Sequence, residues 1–190
     1  MTATDLDFGP AGHLYATHPL HAFAARCPPP LVDWAISRFS APADVVLDPM
    51  VGSGTSLVEA ALLGRRAWGA DIDPLARLIA KTKATPVALA DFDEAVRQAE
   101  ALLPRIGDAG EWRPDLPHLD RWFLPTVVVD LARLRTAILS TECHPDARDL
   151  LWVAFSALIV ARTSVANARD LVHSRHHFRL WDRDPGTILR

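Results

Sequence analysis

The sequence has two cysteines in 190 residues, Cys27 and Cys143, too few for a disulfide framework or a cysteine-type zinc site. It has no excess of basic charge: 20 Lys+Arg stand against 23 Asp+Glu, a formal net charge of −3, which excludes a globally basic nucleic-acid binder but leaves room for a local basic face. Long apolar runs are also absent. The longest, Leu150 to Ala161, is broken by Ser156 and falls well short of the ~20 residues a membrane span needs. Met1 to Pro10 contains no apolar run either, so neither a signal peptide nor a membrane anchor is expected, and the reading is a cytoplasmic protein. Apolar residues at 49% and charged residues at 23% describe an ordinary globular chain, and the length suits a single domain.

Strands are scarce as well. Val45-Val46-Leu47 is a short β-branched run stopped by Asp48-Pro49, and Arg66 to Asp71 reads as a second strand. Between them Gly52-Ser53-Gly54-Thr55 forms a glycine turn, and Ser56 to Leu63 reads as a helix opened by a Ser56/Glu59 capping box and closed at Gly64. Asp73-Pro74 opens another helix. Before this unit, the prolines Pro28-Pro29-Pro30 imply an extended path, followed by a helix over Leu31 to Phe39. After Pro86 the pattern becomes helical: Phe92 to Leu103, Val127 to Leu139 (with strand an alternative over Thr126 to Val129), and one long helix from Asp149 to about Asn167 whose apolar middle covers nearly its whole circumference. The expectation is an α/β nucleotide-binding core over residues 31–86 and a mostly helical extension over 87–190, within one domain.

A glycine turn between a strand and a helix N-terminus presents free amides to a ligand. No lysine follows Gly54, so a P-loop is disfavoured; Leu57 stands where a dinucleotide fingerprint needs a third glycine. Asp48, at the strand end, suits a ligand with a positive amine. Asp71, 23 positions later, can accept both hydroxyls of a ribose. An amine together with a ribose describes S-adenosylmethionine.

The run Val46-Leu47-Asp48-Pro49-Met50-Val51-Gly52-Ser53-Gly54-Thr55-Ser56-Leu57-Val58-Glu59-Ala60 resembles the first motif of the amino-group DNA methyltransferases, which act on adenine N6 or cytosine N4. Gly69-Ala70-Asp71-Ile72-Asp73-Pro74 resembles their second motif. His18-Pro19-Leu20-His21-Ala22-Phe23-Ala24-Ala25-Arg26-Cys27-Pro28-Pro29 resembles their N-terminal motif, with Ala24 where proline is usual. The resemblance covers about residues 13–86 and implies a Rossmann-like methyltransferase fold with S-adenosylmethionine as cofactor and DNA as partner. It also implies a cofactor-binding set of Asp48, Pro49, Gly52, Ser53, Gly54, Thr55, Asp71, Ile72, Phe23 and Arg26. In that set Ile72 would pack on the adenine, Phe23 and Arg26 would face the methionine end, and Asp73 would cap a helix.

The family's catalytic motif, [DNS]-P-P-[YFW], is missing: Pro-Pro occurs here only within Pro28-Pro29-Pro30. Missing strands and a missing motif together imply the cofactor-binding part of a fold that is incomplete in this chain, with a protein partner or further half to carry the catalytic motif. The alternatives are an RNA methyltransferase and a non-catalytic binding or assembly subunit. Two features of the last thirty residues stand apart. His173, His176 and His177 have helical spacing but no accompanying carboxylate or cysteine, so no metal site is assigned. Six arginines from Arg162 to Arg190 face three aspartates, a local charge of +3 that reads as a solvated face or a phosphate contact.

Overall fold

The computed structural model describes residues 15–160, apart from 25, 108–111 and 118. The histidine trio and the terminal arginines therefore lie outside the described residues, as does the expected continuation of the last helix to Asn167. The chain forms two compact units, Met1–Pro86 and Val87–Arg190, with the change falling where the helical pattern begins after Pro86.

The first unit contains α1 (Pro29–Phe39), β1 (Val45–Asp48), α2 (Thr55–Leu62), β2 (Arg66–Gly69) and α3 (Pro74–Ala84). The prolines do not precede α1 as an extended lead. Pro29 and Pro30 are its first two residues, where a backbone N–H has no intrahelical partner to lose. Arg65 fastens the end of α1 to the turn between α2 and β2: its guanidinium donates to the Ser40 carbonyl at 2.9 Å, the Ser40 hydroxyl at 3.1 Å and the Leu63 carbonyl at 2.5 Å. β1 and β2 pair in parallel, Val45 beside Arg66 and Asp48 beside Gly69. The ladder runs on through Ala70 N–H to Asp48 O and Val51 N–H to Ala70 O, each 2.9 Å. Asp73 caps α3, its carboxylate accepting from Leu75 N–H at 2.9 Å.

The capping box does not form. Helix α2 begins one residue earlier than expected, with Gly54 at its N-cap in the left-handed region (φ +83°). Ser56 instead donates to Asp48, and Glu59 turns into the interior. A capping box needs its serine in an extended N-cap conformation, and Gly54 already occupies that place. Gly54 has a second constraint, since a Cβ there would lie 2.7 Å from the Ala80 Cα of α3.

Helix α2 packs against both strands, and Val58, Ala60, Ala76, Ile79 and Ala80 form the buried core of this unit. The other face of the sheet is bare: Leu47 and Trp68 are paired across the ladder and each is 68% exposed, with Val45 beside them also exposed. Two strands covered on one side are marginal alone, and a doubly wound fold covers both faces. The structure is thus a mixed helix and strand unit with a small parallel sheet, short of a complete doubly wound sheet among the described residues.

The second unit is helical: α4 (Leu89–Leu102), a short α5 (Leu119–Trp122) that the pattern did not suggest, α6 (Pro125–Ser140) and α7 (Pro145–Val160). Thr126 to Val129 are helical, not strand. Ala95, Ile138, Ala147 and Leu151 form one apolar cluster, and Leu119, Phe123, Val127, Val128 and Leu131 form another. α7 is not enclosed on all sides as its composition suggested. It packs on α4 and α6, burying Leu151 and Val153, while Ala154 faces out. No helix among the described residues is long and apolar enough to cross a membrane.

Gly54→Ala is expected to destabilise the first unit by at least about 2 kcal/mol, combining a left-handed alanine with overpacking against Ala80. Urea unfolding of the variant beside wild type checks this.

Candidate functional site

The two parallel strands end side by side, so the turns that follow them meet. Asp71, after β2, joins them: its Oδ2 accepts from Gly52 N–H at 2.8 Å and its Oδ1 from Asp73 N–H at 2.9 Å. These backbone amides hold the Asp71 carboxyl below the usual carboxylate range, Asp73 contributing most and Gly52 next. Asp48, the last residue of β1, accepts from Met50 N–H at 3.0 Å and from the Ser56 hydroxyl. Both aspartates are therefore oriented by their own turns and keep acceptor capacity to spare.

Above the glycine turn lies a pocket of about 240 Å³. Phe23, Arg26, Asp48, Gly52, Ser53 and Thr55, all expected from the sequence, line it together. Phe23 approaches closest to the turn, its Cε1 3.5 Å from where a Gly52 Cβ would stand. Pro49, Gly54, Asp71 and Ile72 do not line the pocket. Gly54 makes room for α3, Asp71 braces the turn, and Ile72 projects from the neighbouring edge, 97% exposed. A pocket this size is below the ~300–1,000 Å³ of typical small-molecule sites and accommodates only part of a nucleoside-sized ligand.

Cys27, Val32, Met50, Val51 and Ser56 also line this pocket, and none of them was expected from the sequence. Burial, and then the charge of Asp48, push the Cys27 thiol up, away from thiolate reactivity. A larger pocket of about 370 Å³ lies in the helical unit, lined by apolar residues and Glu100. Polar groups converge on the glycine turn, not there. Among the described residues no cluster of His, Cys, Asp and Glu could hold a metal ion.

Residues 10–82 match the DNA methylase family. Curated relatives include the type II methyltransferase M.MvaI of Kocuria varians, 27% identical over 179 residues that cover 89% of this chain and 37% of that protein. The type II methyltransferase M.MjaII of Methanocaldococcus jannaschii is 36% identical over 66 residues, 35% of this chain and 12% of that protein. The chain thus spans little more than a third of the first relative and about an eighth of the second. No solved structure matches it.

Because the folded state holds Asp71 ionised by hydrogen bonds, its contribution to stability is complete above the ordinary carboxylate pKa of about 3.9 and disappears as pH falls through the lower folded value. Asp71→Asn should therefore melt below wild type at neutral pH, and the gap should close under acid conditions below about pH 4. Thermal melts across that range check it; a gap independent of pH would contradict the role of the charge.

Proposed function

We propose that this chain is the S-adenosylmethionine-binding part of an amino-group DNA methyltransferase. The observation that carries the reading is the pocket itself: one anionic side chain, Asp48, one guanidinium, Arg26, an aromatic face, Phe23, and the backbone of Gly52 and Ser53 converge above the turn between β1 and α2. That donor set fits a zwitterionic, cationic ligand. Asp48 attracts an ammonium, and Arg26, which uses Nη1 on the His18 carbonyl, retains N–H groups for a carboxylate. Asp71 has lone pairs left for ribose hydroxyls along the same edge, and the exposed Ile72 offers an apolar platform for a purine. S-adenosylmethionine supplies an activated methyl group on sulfur. This chain's residues bind and orient that group; transfer to an exocyclic amine demands placement and desolvation more than a nucleophilic side chain.

The target-amine motif is absent here, and the DNA partner and the remaining strands are assigned to another polypeptide or segment. The bare sheet face supports that division. A partner contributing strands beside β1 and helices over Leu47 and Trp68 would complete the sheet and cover both. The match of residues 10–82 to the DNA methylase family favours DNA as the substrate.

Calorimetry with S-adenosylmethionine tests the reading. Wild type should bind, and Ile72→Asp should bind at least about tenfold more weakly, from the lost apolar contact. The melting temperature should change little, because the Ile72 side chain is 97% exposed. Absence of binding by wild type would overturn the proposal. Tritiated methyl transfer to unmethylated DNA should stay at background for this chain alone and appear when a polypeptide bearing [DNS]-P-P-[YFW] is co-expressed.

A further inference from the structure

The segment that brings Phe23 and Arg26 to the pocket has little to hold it. It contains one short 3-10 turn, His18–Leu20, and most of its side chains are exposed. Its anchor is a buried carboxylate on α2. Glu59, 2% exposed, accepts at Oε1 from His18 Nε2 at 2.6 Å and from the Tyr15 hydroxyl at 2.5 Å. His18 is 1% exposed, and burial holds it below the usual imidazole range despite the carboxylate beside it. With His18 Nε2 as donor, Glu59 Oε1 gathers two donors from the same short segment. Two weaker threads run alongside: Arg26 donates to the His18 carbonyl at 2.7 Å, and the Thr17 hydroxyl donates to the Lys83 carbonyl of α3 at 2.8 Å. His18 is thus tied at both ends, to Glu59 by its ring and to Arg26 by its carbonyl.

We propose that Glu59 is a positioning residue: by holding His18 and Tyr15 it fixes the segment from Tyr15 to Cys27 as one wall of the pocket, and so sets ligand affinity without touching the ligand. The part about affinity rests on the pocket being the cofactor site. A segment with so few buried side chains orders only if its anchors outweigh its chain entropy. Removing the acceptor strands two donors, one of them fully buried. The loss then reaches the pocket as a mobile Phe23 and a mobile Arg26, not as a missing contact.

Amide hydrogen exchange and adenosylhomocysteine binding, measured on the whole chain, separate the possibilities. Glu59→Leu should speed exchange across residues 17–27, leave Val46 and Leu47 protected, and weaken binding at least about tenfold, as expected for losing hydrogen bonds to a charged group. Glu59→Gln retains an acceptor oxygen and should recover both properties to within about threefold. Tyr15→Phe removes the outer donor with little risk to the fold and should show the same exchange effect in smaller degree. If Glu59→Leu unfolds β1 as well, Tyr15→Phe decides alone. Unchanged exchange in the segment would overturn the proposal, and so would looser exchange with unchanged affinity. A wild type that binds no ligand, while its variants loosen as described, would count against the cofactor reading and not against the anchor.

Discussion

The hydrogen bond from Gly52 N–H to the Asp71 carboxylate joins the turns after the two strands, and the site depends on it. Parallel pairing of Val45–Asp48 with Arg66–Gly69 brings the strand ends level, and Asp71 then locks the glycine turn against the start of α3 through its second oxygen. Asp48 does the corresponding work on its own side, holding Met50 N–H and Ser56. With both turns fixed, the amides of Gly52 and Ser53 and the floor of the pocket are set before any ligand arrives, which lowers the ordering cost of binding.

Much of this was legible in the residues. A β-branched run stopped by Asp48-Pro49 located the first strand, the second was placed at Arg66 although it ends at Gly69 and not Asp71, the two glycines located the turn, and Asp73-Pro74 located the start of α3. The match over residues 10–82 bears out the motif resemblance. Three things were not legible. Glu59 satisfies the spacing of a capping box, and only the tertiary fold shows it turned inward to His18, because a glutamate's local and distant options look alike in sequence. Pro29 and Pro30 start a helix, which a proline run permits at the first turn but does not announce. The pocket walls Cys27, Val32 and Met50 come from separate elements that meet only through α1 and the upstream segment.

The sheet is covered on one face only among the described residues. Leu47 and Trp68 sit paired on an open sheet face, each 68% exposed, while Val58, Ala60, Ala76 and Ile79 of the same unit are buried. An apolar ladder with no cover is a docking surface or an aggregation hazard. On the proposed reading, strands and helices from another segment or polypeptide would cover that face.

Isotope-edited NMR of the whole chain, titrated with adenosylhomocysteine, tests the central claim most directly. Shift changes should concentrate at Arg26, Gly52, Ser53, Thr55 and Ile72, with the helices from Leu89 onward unaffected. Changes confined to the apolar pocket of α4, α6 and α7, or none at saturating ligand, would contradict it.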